Sequence, residues 1–228
     1  MANNTITAIA VGAGLIGMAL FLRLLLLRRP INSEAWAVFF AVVGSIMAVV
    51  GFTTTVMWPY GTGELAYGNI QFGEPAAAFG VLALGGAVLL WRQRKLFEVD
   101  SKHTYEAAFD SLRPLSIFVG VLGLAMVALA ATWVRFQMGA APEFEPVSGN
   151  FGHLPWLEAS FLGGLWGLVA VGALVFPFAV RKAGKVLVNI VVVTWLLAGI
   201  VFSLFGALNM YTHIGMYYNL SHGTHHKW

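Results

Sequence analysis

Apolar residues along this chain run in long, nearly unbroken stretches instead of alternating with polar ones. A transmembrane helix needs about 20 mostly apolar residues, because the hydrocarbon core of a bilayer is about 30 Å thick and each helical residue rises about 1.5 Å. Six stretches meet that length, at residues 6–27, 35–57, 75–91, 115–136, 155–180 and 186–211. The third is short and is expected to begin a few residues earlier, near Gln71. The predicted fold is therefore all-α, an integral membrane bundle of six transmembrane helices. The opening MANNTITAIA has no positive segment and the apolar run is too long for a signal-peptide core, so it reads as a retained span. Residues 1–220 form the predicted transmembrane domain, and 221–228 a His-rich C-terminal tail.

The connections differ by side. Arg23, Arg28 and Arg29 sit at the first, Arg92, Arg94, Lys95, Lys102 and Arg113 at the third, and Arg181, Lys182 and Lys185 at the fifth. Arg135 and Lys227 are the remaining two of the 13 basic residues. Basic residues mark the cytoplasmic side, so the odd connections are expected inside and both termini outside a plasma membrane. In the third connection Tyr105, Ala108, Phe109 and Leu112 follow i, i+3, i+4, i+7 spacing. That spacing fits a short helix on the membrane surface, and equally a connector tucked against the bundle. Pro177 is expected to kink the fifth span or end it early.

Two outer loops resemble each other. Gly68-Asn69 precedes Phe72-Gly73 and Glu74, and Gly149-Asn150 precedes Phe151-Gly152 and Glu158; Glu64 and Glu145 stand earlier in each, and Gly85-Gly86 and Gly163-Gly164 follow. The pattern suggests a weak internal repeat relating helices 2–3 to helices 4–5, and recurrence of Gly, Asn and Pro in loops produces it as well.

Composition narrows the chemistry. Of 228 residues, 59% are hydrophobic and 10% charged, against about 25% charged in soluble domains. The formal charge of +3 is too small an excess for a nucleic-acid surface. Absence of cysteine excludes thiolate metal sites, iron–sulfur clusters and cysteine nucleophiles. No histidine falls in mid-span, so no haem is expected.

Ionisable residues at the membrane edge are costly and hence functional candidates. Glu74, before Pro75, begins the third span; Glu158 lies in the first turn of the fifth, with His153 five residues earlier; His213 stands at the end of the sixth, with Asn209 and Tyr217 at i∓4 and Met210 and Met216 at i∓3. Topology brings Glu74, Glu158, His213 and His153 to one leaflet. Two carboxylates with one or two histidines make a ligand set for iron or copper, with zinc also suited. Two neighbouring buried carboxylates also need a cation or a proton between them. The competing reading makes Glu74 and Glu158 helix-terminus residues held by the dipole. The tail, with His222, His225 and His226, reads as a loose metal-binding tract or a disordered terminus.

The segment MWPYGTGELAYGNIQFGEPAAAFGVLAL, through Trp58-Pro59, Tyr67-Gly68-Asn69, Phe72-Gly73-Glu74-Pro75 and Phe79-Gly80, resembles a small family of multipass membrane proteins of archaea and bacteria catalogued as a domain of unknown function. The resemblance implies a polytopic membrane protein and carries no activity. Three functional readings follow: a redox metalloprotein with an extracytoplasmic Glu/His site, a non-catalytic accessory subunit of a larger membrane complex, and a small proton-linked transporter. Partners are the lipid bilayer and either other membrane subunits or further copies of the chain; no nucleic acid is expected. The basic asymmetry predicts that a periplasmic-type reporter fused after Trp228 is active. Activity of a cytoplasm-only reporter at that point would reverse the orientation.

Overall fold

The computed structural model describes residues 4–57, 67–97, 102–138, 141–182 and 184–227. Its helices are α1 (Asn4–Leu26), α2 (Ser33–Val56), α3 (Glu74–Arg92), α4 (Arg94–Phe97), α5 (Lys102–Phe136), α6 (Pro155–Lys182) and α7 (Lys185–His222). All except the four-residue α4 are long and apolar enough to cross a membrane, which makes this an all-α multi-pass membrane protein. Residues 58–66, with Glu64 and Trp58-Pro59, lie outside the described residues, as do the side chain of His103 and residues 98–101.

Local chemistry sets several helix ends. The Asn32 side chain accepts a hydrogen bond from the Ala35 N–H at 3.0 Å and caps α2. Beyond α1, Arg28 adopts φ 52°, with Arg28 N–H donating to Leu25 O and Arg29 N–H to Leu24 O, and Pro30 prevents continuation. A π-helical turn, Asn69–Gly73, leads into α3.

Three helix pairs build the bundle: α2 with α3, α5 with α6, and α1 with α7. Each is locked by small residues. In the first pair Gly51 lies against the backbone of Ala77 and Gly80 against that of Ala48. In the second, Gly163 faces Ala130 O and Gly120 faces Pro177; in the third, Gly12 and Gly199 meet across the interface. Lipid tails are as apolar as leucine, so helices associate in a bilayer through close packing, and a missing Cβ lets backbones touch. The α2–α3 and α5–α6 hairpins are the ones preceded or joined by the two similar loops. Contacts of α1 with α2 and of α6 with α7 join the pairs into an arc.

Several expectations change. The sixth span runs on to His222, past Tyr211, with Asn209, Thr212, Met216 and Asn219 buried along it; in this extension Gly215 packs on Pro146 and Asn219 bonds Phe144 O. Met210 and Tyr217 are exposed and leave the stripe expected around His213. Among the described residues, Tyr105, Ala108 and Phe109 do not form a separate short helix on the membrane surface. Tyr105, Ala108 and Phe109 are buried on the first turns of α5, which passes through Pro114. Likewise α6 continues through Pro177 to Lys182. The tail is not a free coil. Gly223, at φ 62°, caps α7, and the Asn219 side chain binds Thr224 Oγ1, His226 N–H and His226 O at 2.9–3.0 Å. The His222 ring stacks on Tyr218 at 4.2 Å.

Gly80→Leu should lower the thermal unfolding midpoint in detergent, at a cost of about 1–3 kcal/mol or more, because its Cβ would meet Ala48 backbone. Gly164→Leu, where an added Cβ meets nothing within 4 Å, should leave it unchanged. Equal midpoints for the two variants would refute packing by small residues as the lock.

Candidate functional site

All six spanning helices contribute to a cavity of about 270 Å³ along the bundle axis. On α6 its wall carries Glu158, Leu162, Trp166, Val169 and Phe176, spaced at i, i+4, i+8, i+11 and i+18. At about 1.5 Å per residue, Glu158 to Phe176 covers roughly 27 Å, close to the thickness of a hydrocarbon core. The cavity is thus long and narrow. Its deeper half is apolar, bounded by Val169, Phe176, Leu112, Leu115 and Val119. Its other half, toward the end that holds both termini, carries the polar groups.

Those groups come from five elements. Thr7 is on α1, Tyr67 and Gln71 precede α3, Trp133 is on α5, Glu158 and Trp166 are on α6, and Asn209 and His213 are on α7. The π-turn accounts for Gln71: the wider turn places this buried amide, 3% exposed, on the cavity wall. Its Nε2 donates to Met138 Sδ at 3.2 Å, tying the start of α3 to the end of α5. Phe72 and Trp133 pack edge to face beside it, with centroids 5.9 Å apart. The His213 Nδ1 lies 3.4 Å from Thr5 Oγ1, which joins α7 to α1.

Glu158 faces two ways. It lines the cavity, and its Oε2 accepts the Ala141 N–H at 3.1 Å, holding the segment after α5 as a cap on the start of α6. A second carboxylate, Glu145, organises the same segment. It is buried and accepts the Val147 and Gly149 N–H groups at 2.9 and 3.0 Å. Pro146 then packs on Gly215, and Asn219 Nδ2 donates to Phe144 O at 2.9 Å, so the cap is clamped by α7.

Three buried polar atoms find no hydrogen-bond partner among the described residues: Gln71 Oε1, Trp133 Nε1 and Trp166 Nε1. All three residues line this cavity. A buried donor or acceptor left unpaired costs about 1–3 kcal/mol, so three around one void identify the polar half as a place for hydrogen-bonding atoms from elsewhere.

The four residues expected to converge divide into two sets. Glu158 and His213 share the cavity wall. Glu74 and His153 are exposed and are not on it. Glu74 follows the π-turn directly and opens α3 beside Pro75, so it sits within a continuous helix and not at a free helix start. Among the described residues no group of three or more His, Asp or Glu side chains is placed to hold a metal ion. Sequence reasoning passed over Gln71, Trp133 and Trp166. A tryptophan near a span end reads as an interfacial belt residue. Trp166 was detectable as the residue two turns after Glu158 on the same face.

The chain belongs to the family described as "Protein of unknown function (DUF981)", which it matches over residues 1–216. That match takes in every helix that lines the cavity, from Thr7 to His213, and stops short of the tail. No curated protein and no solved structure matches the chain.

Replacing Glu158 by Ala should free the Ala141 N–H, at a cost of about 1 kcal/mol, and speed proteolysis within residues 141–151. Glu158→Gln keeps an accepting oxygen and should protect the segment as the native residue does. Equal cleavage of all three proteins would mean that Glu158 does not hold the cap.

Proposed function

We propose that this protein binds a small amphipathic molecule along the bundle axis. Its polar head would lie among Glu158, His213, Gln71, Trp133 and Trp166, and its apolar body would run toward Phe176. The observation that carries this reading is the set of three unpartnered buried polar atoms on one cavity wall: two indole donors and one amide acceptor. A head bearing both acceptors and a donor, such as a hydroxyl or amide, has the complementary groups for two indole donors and an amide acceptor. The volume of about 270 Å³ is near the lower end of the roughly 300–1,000 Å³ of small-molecule sites, which are also mostly apolar with few convergent polar groups. Glu158 and His213 add groups that exchange protons, so the same site suits a proton-linked carrier. The excess of Arg and Lys at the opposite end supports placing the polar half on the extracytoplasmic side of a plasma membrane.

The metal reading now rests on Glu158 and His213 alone. Two protein ligands leave most of a coordination shell to a bound molecule.

Solvent extraction of detergent-purified protein, followed by mass spectrometry, should release one amphipathic species in near-stoichiometric amount. Trp166→Phe should weaken its binding about three- to tenfold, the value of one hydrogen bond. Gly86→Leu should remove most of it, since an added side chain there meets open cavity. Elemental analysis of the same sample covers the alternative: stoichiometric iron or copper without an organic species would return the function to the metal reading. Extracts with neither would leave a water-filled cavity and refute ligand binding.

A further inference from the structure

The arc of helices runs α3, α2, α1, α7, α6, α5, and it is not sealed where its two ends meet. Although α3 and α5 both line the cavity, they scarcely pack on each other. Among the described residues, the hydrogen bonds and ring pairs that link them lie near the two ends. At one end are the Gln71–Met138 hydrogen bond and the Phe72–Trp133 ring pair; at the other, Ser111 Oγ donates to Gln93 Oε1 at 3.0 Å. Between these links lies a slot.

Gly85 and Gly86 sit at this slot. Seven residues separate Gly86 from Gln93, and eight separate Ser111 from Val119, which places Gly86 and Val119 at one depth. That depth is roughly 10–12 Å inward from the Ser111–Gln93 link. Most glycines within these helices are pressed against a neighbouring helix, but a Cβ added at Gly85 or Gly86 meets nothing within 4 Å. Their small size is therefore not used for packing. Gly86 lines the cavity and Gly85, the next residue, is exposed on the outer surface, so adjacent positions without side chains face the two sides of the wall.

We infer that the cavity fills sideways from the bilayer, through a portal between α3 and α5 at Gly85–Gly86, and that its ligand is a single-chain amphiphile with one flexible acyl or prenyl tail. This rests on the ligand-binding reading above. A portal at hydrocarbon depth admits molecules already dissolved in lipid. A cavity of about 270 Å³ whose lining spreads over roughly 27 Å suits one chain lying lengthwise. At the Glu158 end the lining is polar, so a lone acyl or prenyl tail entering from water would have to pass Glu158, His213 and Gln71.

The chain contains no cysteine, so a single introduced thiol reports the route. Full-length Gly86→Cys protein in lipid nanodiscs is exposed either to N-hexadecylmaleimide or to a trimethylammonium methanethiosulfonate, and intact mass is followed with time. The hexadecyl reagent should react, and the charged one should react far more slowly. Adding Gly85→Trp should slow the hexadecyl reaction about tenfold or more by obstructing the portal, with Gly85→Leu intermediate. Val49→Cys, on a lipid-facing surface of α2 and 66% exposed, should label at the same rate with or without Gly85→Trp, which also confirms that the variant is folded. A hexadecyl rate at Gly86→Cys unaffected by Gly85→Trp, or faster labelling by the charged reagent, would overturn lateral access. The two readings separate cleanly. Ligand-loaded protein whose labelling ignores Gly85→Trp refutes the portal alone. Portal-dependent labelling of protein that yields no ligand refutes the proposed binding function instead.

Discussion

Backbone-to-backbone packing at small residues is the constraint on which the rest of this structure depends. Water drives no burial inside a bilayer, so helices adhere where their surfaces approach closely enough for dispersion to accumulate. The glycines at positions 12, 44, 51, 80, 120, 123, 163, 199 and 206 supply that approach, and they are distributed to make three tight pairs. Tight packing within pairs leaves looser packing among them. The axial cavity is what remains when three well-fitted pairs meet around a line that none of them fills.

The polar groups follow the same geometry. A carboxylate, an imidazole, an amide and two indoles share the polar half of the cavity; the π-turn before α3 presents the amide, and the segment after α5 gives the carboxylate a backbone N–H. Glu158 and Glu145 both spend carboxylate oxygens on backbone N–H groups of residues 141–149, so they build the cap as well as charge it. The extension of α7 completes the cap: Gly215 admits Pro146, and Asn219 ties the segment to the tail. One polar assembly therefore both holds that segment and, through Glu158, faces the interior. A ligand head bound there would bear on the cap through Glu158 itself.

Helical glycines have two distinct uses here. Where an added Cβ would strike backbone, as at Gly51 or Gly80, the residue brings helices together. Where it would meet open space, as at Gly85 and Gly86, the residue preserves a gap that any larger side chain would narrow. Residue type alone does not separate the two, because the difference lies in what stands opposite.

The sequence by itself determined the membrane class, the six spans, their order and the placement of eleven of the 13 basic residues at the odd connections, since length, apolarity and charge are read locally along the chain. The buried face of Tyr105, Ala108 and Phe109 was likewise legible, because helical periodicity marks a face whatever it packs against. Tertiary structure decided the rest. Glu74 and Glu158 both follow a Gly-Asn turn and both begin a span, yet one faces solvent and the other a cavity, because rotation about a helix axis is set by the neighbouring helix. His213 became a mid-helix residue only because α7 found Pro146 and Phe144 to pack against beyond the membrane edge. The unpartnered atoms of Gln71, Trp133 and Trp166 are invisible along the chain, since three side chains from three elements define one void only after the helices have paired.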